Sequence, residues 1–63
     1  MKYSELERLI KKTTNCHFHR NGSNHPIWKN PDTGEIFELS HHSSKEVAPG
    51  TLKSIIKKSG AKL

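Results

Sequence analysis

Histidine is the residue type in this chain that is best suited to chemistry, and it occurs five times in 63 residues. An imidazole can both take and give a proton near neutral pH. Cleavage of RNA needs this property, because a 2′-hydroxyl that attacks the neighbouring phosphate loses a proton while the leaving 5′-oxygen gains one. His25 follows a glycine turn and begins a predicted strand, so a rigid element would hold its ring against a bound backbone. Residue type alone still favours an ordinary surface histidine here.

The other histidines raise the alternative of a metal site. Cys16, His17, His19, His41 and His42 are all potential zinc ligands. Structural zinc sites usually contain pairs of ligands a few residues apart, whereas this chain has one cysteine, and adjacent strand residues such as Cys16 and His17 point to opposite faces. We therefore expect no metal and no cofactor, and we expect Cys16 to be a small, half-buried residue.

The charge of the chain favours a polyanionic partner. Eleven Lys and Arg residues against six Asp and Glu residues give a net charge of +5 and a pI near 9.7. Such a charge density suits nucleic acid, although basic residues can also serve solubility alone. Trp28 is a candidate for base stacking, but an aromatic residue at this position is more often part of the core. The cations that we expect to contact phosphates are Lys11, Lys12, Arg20, Lys29, Lys45 and Lys53.

Two helices are predicted, one near each end of the sequence. The first covers residues 4–13, where Ser4 and Glu7 form an S-x-x-E capping box and apolar residues recur at helical spacing. The second begins near Pro49, since proline suits the first turn of a helix, and ends at Gly60, a typical C-cap residue. Each predicted helix is apolar on one side and basic on the other, so each should pack against another element.

Three short strands are predicted between the helices, at residues 16–20, 25–29 and 35–40. Gly22 and Ser23 form the first connecting turn, where the Asn-Gly pair suits a tight hairpin with positive φ. Residues 30–34 form the second turn, in which proline presets φ and Gly34 accepts a left-handed conformation. In the third strand Phe37 and Leu39 share a face. The strands should form an antiparallel meander.

These elements predict an α+β fold in the order αβββα, with two helices packed on one face of a three-stranded antiparallel sheet and the other face open. The topology resembles the double-stranded-RNA-binding domain, which contacts RNA through shape, phosphates and 2′-hydroxyls. A chain of this length buries one small core, so we expect a single domain over residues 1–63. The expected core residues are Leu6, Leu9, Ile10, Phe18, Ile27 or Trp28, Phe37, Leu39, Val47, Leu52, Ile55 and Ile56.

Composition also indicates where the chain works. No apolar run approaches the roughly 20 residues of a membrane span, and the start of the chain has no hydrophobic signal core. Cys16 is the single cysteine, which excludes an internal disulfide framework and fits a reducing compartment. We expect a cytoplasmic protein with no membrane partner.

Several motifs in combination are more specific than any one of them. Residues 22–25 read Gly-Ser-Asn-His, and residues 30–34 read Asn-Pro-Asp-Thr-Gly after the Ile-Trp pair of the second strand. Residues 45–57, which enter the second predicted helix, read Lys-Glu-Val-x-x-Gly-Thr-Leu-x-x-Ile-Ile-Lys. With the Ser-Glu start of the first helix, this pattern resembles the HicA family of mRNA interferase toxins over nearly the whole chain.

The resemblance implies a toxin of a HicAB toxin–antitoxin module, which cleaves mRNA without the ribosome, and we expect this cleavage to need no metal ion. It implies His25 as the catalytic residue, because His25 matches the histidine in the family's glycine turn. It also implies a HicB-type antitoxin that binds the toxin directly and makes any contact with DNA. His42 is expected as a helper of His25, in a segment where Ser40 replaces a proline common in the family.

Two other functions remain open on sequence alone. A non-catalytic RNA-binding module would use the same basic surface, and no second catalytic group stands out in the sequence. A zinc-stabilised interaction domain would depend on metal for folding, and it would unfold in a chelator.

Overall fold

The computed structural model describes residues 1–63, and its elements occur in the predicted order. Helix α1 is followed by three strands, which form an antiparallel sheet in the order β1-β2-β3, and then by helix α2. The α+β prediction is confirmed, with the αβββα arrangement of the double-stranded-RNA-binding fold. Neither helix has the length and apolar character that crossing a membrane requires. The bounds are Tyr3–Thr13 for α1, His17–Asn21 for β1, Pro26–Lys29 for β2, Ile36–Glu38 for β3 and Pro49–Ser59 for α2.

The core lies between the two helices and one face of the sheet. Cross-strand partners share a face of an antiparallel sheet, and Phe18, Trp28 and Phe37 are partners across the three strands. Trp28 and Phe37 are buried in one cluster with apolar residues from both helices, so both helices pack on this face as predicted. The cluster consists of Leu6, Ile10, Cys16, Trp28, Phe37, Leu39, Val47, Ile55 and Ala61.

The other face of the sheet, called the open face below, contributes no residue to the core cluster, and α2 borders it only at a hollow on its β3 side. Ile27 lies on this face and is buried outside the core cluster, beside the β1–β2 turn. Trp28 and not Ile27 is therefore the residue of β2 in the core. The open face consists of His17, Arg20, Ile27, Lys29, Ile36 and Glu38.

The prediction that Phe18 belongs to the core is wrong. Phe18 shares the face of Trp28 but is 49% exposed, whereas Trp28 is only 5% exposed. The cause is the position of β1 at one edge of the sheet. Helix α2 lies beside β3 at the opposite edge, so it does not cover Phe18. The burial of Trp28 also contradicts the base-stacking role considered for it.

The predicted capping box of Ser4 and Glu7 is wrong as well. Helix α1 begins at Tyr3, and its first N–H groups have no partner within the helix. The loop between β3 and α2 supplies their acceptors: Tyr3 N–H donates to the carbonyl of Lys45, and Ser4 N–H donates to that of Ser43, both at 3.0 Å. Carbonyls from a distant part of the chain thus replace the expected hydroxyl cap and attach this loop to the helix.

The predicted C-cap and second turn are confirmed. Gly60 has φ of 76°, and its N–H donates to the carbonyl of Ile56 at 2.9 Å at the end of α2. Gly34 has φ of 79° in the turn between β2 and β3. Both positions require the left-handed conformation that glycine adopts without a steric penalty.

Asn30 connects the β2–β3 turn to the end of α2. Its amide is buried, and Nδ2 donates to the carbonyls of Lys58 at 3.0 Å and Ser59 at 3.3 Å. Its Oδ1 accepts a hydrogen bond from Asp32 N–H at 2.9 Å. Cys16 is buried rather than half-buried, and its Sγ also lies 3.3 Å from the Ser59 carbonyl. The last carbonyls of α2 are therefore satisfied by side chains.

Replacement of Asn30 by Asp should lower the free energy of unfolding by about 1–3 kcal/mol. The carboxylate keeps the acceptor for Asp32 N–H but places an oxygen, instead of an amide, against two carbonyls. Urea unfolding followed by circular dichroism measures the change. Asn15→Asp is the matched control, because Asn15 is exposed, and its effect should stay within about 0.5 kcal/mol. Equal stability of the two variants would contradict the role of Asn30.

Candidate functional site

His25 lies at the end of the β1–β2 turn and directly precedes β2. The N–H of Gly22 donates to the carbonyl of His25 at 2.8 Å, which closes the turn. This turn is not the predicted hairpin with positive φ, because the positive-φ residues of the chain are Gly34 and Gly60. His25 is exposed, so its ring is accessible to a large ligand.

Gly22 is required at this turn for a steric reason. A Cβ at Gly22 would lie 2.9 Å from the carbonyl oxygen of His25 and 3.0 Å from Cδ1 of Ile27. The oxygen belongs to the backbone and cannot move away unless His25 moves with it. Gly22 thus constrains the backbone of His25, and Ser23 is exposed beside it.

A second histidine, His41, lies next to His25. The two ring centroids are 6.4 Å apart, and the ring planes are tilted by 55°. His41 is in the loop that leaves β3, and this loop starts beside β2 because Leu39 N–H donates to the carbonyl of Pro26 at 3.1 Å. Both histidines are exposed. We call these two side chains the imidazole pair.

The helper predicted for His25 was His42, the neighbour of His41. The N–H of His42 donates to Oγ of Ser40 at 3.0 Å, and its carbonyl accepts from Lys45 N–H at 3.0 Å. A catalytic role for His42 stays a prediction, but the ring beside His25 is that of His41. The sequence alone does not show which of the two adjacent histidines lies beside His25. The turn formed by the hydrogen bonds of His42 with Ser40 and Lys45 determines it.

Two of the predicted phosphate-binding residues belong to the chain segments that carry the imidazole pair. Arg20 is exposed at the end of β1 that leads into the turn of His25. Lys45 is exposed in the same loop as His41. The segments that carry the two rings therefore also carry positive charge, and phosphate chemistry uses both proton-transfer groups and cations.

The remaining predicted cations lie elsewhere. Nζ of Lys11 is 5.7 Å from the centre of the Trp28 ring, on the helix side of the sheet. Lys12 borders a hollow beside Asn30, at the end of β2 away from His25. Lys29 is on the open face, and Lys53 is exposed on α2. The predicted RNA-binding residues thus do not form one patch.

The potential metal ligands are dispersed. No three His, Cys, Asp or Glu side chains come together in an arrangement that could hold a metal ion. The Cys16 thiol is buried against the Ser59 carbonyl, while its neighbour His17 is exposed on β1. The geometry provides no observation that favours a zinc-stabilised domain.

Comparison with protein families adds an independent finding to this geometry. A family model described as "HicA toxin of bacterial toxin-antitoxin" matches residues 3–61, which include all the helices and strands and the imidazole pair. The chain belongs to the HicA toxin family. Membership implies, in general terms, an antitoxin partner for this HicA chain. Comparisons with curated proteins and with solved structures gave no match.

Replacement of Gly22 by Ala should displace the turn that holds His25 in this HicA chain. We expect a shift of the His25 ring resonances in ¹H–¹³C NMR spectra, and a loss of about 1–3 kcal/mol of stability from overpacking. Gly50→Ala is the matched control, because a Cβ at Gly50 meets open space in α2 and alanine favours a helix. Unchanged His25 resonances in Gly22→Ala would contradict the steric role assigned to Gly22.

Proposed function

We propose that this HicA-family chain is an endoribonuclease that cleaves mRNA independently of the ribosome and uses His25 for acid–base chemistry. The observation that carries the proposal is the exposed His25 side chain at the end of the sheet, on a backbone that the close approach of Gly22 constrains. Family membership and the net charge of +5 support it.

The proposed reaction follows the 2′-hydroxyl route. The 2′-oxygen attacks the adjacent phosphorus, the bond from phosphorus to the 5′-oxygen breaks, and a 2′,3′-cyclic phosphate and a 5′-hydroxyl form. One proton leaves the 2′-hydroxyl and one reaches the 5′-oxygen, and His25 carries one of these transfers. Arg20 and Lys45 neutralise the charge that develops on the phosphate. We expect this imidazole chemistry to proceed in EDTA.

Substitution of His25 by Ala should lower RNA cleavage by about 10²-fold or more, since general acid–base catalysis contributes at least that much. The purified chain is incubated with mixed-sequence RNA in EDTA, and the products are resolved on a gel. His17→Ala is the matched control, because His17 is an exposed histidine that pairs with Lys29 at the other end of the strands.

Each alternative has its own outcome in this assay. Cleavage that survives in His25→Ala would contradict the role of His25. Intact RNA with the wild type and with both variants, together with binding that weakens steeply as salt rises, would instead indicate a non-catalytic RNA-binding module.

The proposed partner is a HicB-type antitoxin that binds the toxin directly and covers the imidazole pair. The exposure of both rings and the positive charge of the chain support a partner with an acidic contact surface. The proposal places both proteins in the cytoplasm with the mRNA. Contact with DNA would occur only through the antitoxin.

Binding of the cognate HicB-type antitoxin should protect His25 from an imidazole-modifying reagent. Diethyl pyrocarbonate is added to the free chain and to the complex, and mass spectrometry follows the modification of His25 over time. We expect slower modification in the complex, because an occluded ring is not accessible to the reagent. An unrelated acidic protein at the same concentration is the control. Equal rates in the free chain and the complex would show that the antitoxin binds elsewhere.

A further inference from the structure

We propose that His41 is the second acid–base residue of the site, so that His25 and His41 divide the two proton transfers of RNA cleavage between them. The inference rests on the proposed ribonuclease function and deepens it. The observation that carries it is the placement of the two exposed rings, with centroids 6.4 Å apart, at one end of the sheet.

The spacing of the rings matches the reaction. In-line displacement places the attacking and leaving oxygens on opposite sides of the phosphorus, so a single ring cannot contact both oxygens at once. Each transfer needs a ring nitrogen within about 2.6–3.2 Å of its oxygen. Two rings whose centroids are 6.4 Å apart are close enough for a nitrogen of each ring to reach one phosphate that lies alongside both rings.

Both rings are positioned relative to the same short piece of backbone. The carbonyl of His25 accepts the hydrogen bond from Gly22 N–H at 2.8 Å, and the carbonyl of the next residue, Pro26, accepts that from Leu39 N–H at 3.1 Å. The bond between His42 N–H and Ser40 Oγ then shapes the turn around His41. Backbone hydrogen bonds of this kind preorganise a pair of catalytic groups before the substrate binds.

The two imidazoles alone account for both proton transfers of the step. One neutral imidazole takes the proton of the 2′-hydroxyl as the bond from the 2′-oxygen to phosphorus forms. The other imidazole, protonated at the start, gives its proton to the 5′-oxygen as the bond between that oxygen and phosphorus breaks. The pair carries one positive charge before and after the step, on the opposite ring afterwards, and proton exchange with water restores the starting state. No other reactant is needed.

The test compares His41→Gln, His25→Gln and His17→Gln on two substrates. On ordinary RNA the first two variants should each lose about 10²- to 10⁴-fold in rate, and His17→Gln should match the wild type. The second substrate carries sulfur in place of the bridging 5′-oxygen, and a thiolate leaves without being protonated. One of the two slow variants, and only one, should regain a rate near that of the wild type, and this variant lacks the general acid.

Several results would overturn the assignment. With an active wild type, these are a wild-type rate for His41→Gln, an equal or larger loss in His42→Gln, and rescue by sulfur of both slow variants or of neither. All of them leave the proposed ribonuclease function intact. A wild type that leaves RNA uncut removes that function itself, so the two failures are distinguishable. Circular dichroism of each variant checks the fold.

A second measurement does not depend on activity. Inorganic phosphate is titrated into the ¹³C-labelled chain while NMR follows the histidine rings. A phosphate held between His25 and His41 should shift both rings with one shared dissociation constant, and His25→Gln should weaken the response of His41. The His17 ring serves as the internal control. Independent responses of the two rings, or a response of His41 that is unchanged in His25→Gln, would overturn the proposal.

Discussion

The two helices cover only one face of the sheet, and this constraint determines which parts of the molecule are buried and which are exposed. Helices α1 and α2 have 11 residues each, and both direct their apolar sides at the face of Trp28 and Phe37. Only 12 residues of the chain are buried, as is typical of so short a domain. Most residues of the open face and of the turns at the ends of the strands therefore stay exposed. An RNA chain is too large to enter a cavity in a protein of this size, so an exposed site suits it.

Because no packed core surrounds the imidazole pair, backbone hydrogen bonds have to position it. The loop that carries His41 is attached at two places, to β2 through Leu39 and to the first turn of α1 through the carbonyls of Ser43 and Lys45. The same loop thus completes the helix and positions a candidate catalytic ring. A substitution that loosens this loop would affect both the first turn of α1 and the position of His41, so activity and stability would be lost together. The close contact at Gly22 acts on the backbone of His25, directly before the Pro26 carbonyl to which the loop of His41 is bonded through Leu39.

Local signals predicted most of the fold, whereas features that depend on distant parts of the chain were missed. Helical periodicity and the positive-φ glycine at Gly60 act within a few residues, and they gave the right elements. The exposure of Phe18 depends on which strand lies at the edge, and the cap of α1 depends on carbonyls from a loop far along the chain. His25 was proposed as a site residue because its turn has a local motif and a family pattern. His41 was not, because its approach to His25 exists only after β3 has paired with β2.

The dispersal of the basic residues affects how such a site would recruit its substrate. Net charge indicated a polyanionic partner, but of the predicted cations only Arg20 and Lys45 belong to the chain segments that carry the imidazole pair, while Lys11 lies over the Trp28 ring. Most of the positive charge therefore acts through the long-range field, which speeds encounter with any polyanion but gives little preference for one sequence. An acidic protein surface is attracted by the same field. RNA and an acidic antitoxin would then compete for one exposed end of the sheet, and the contacts that the antitoxin makes beyond this field would decide which of them is bound.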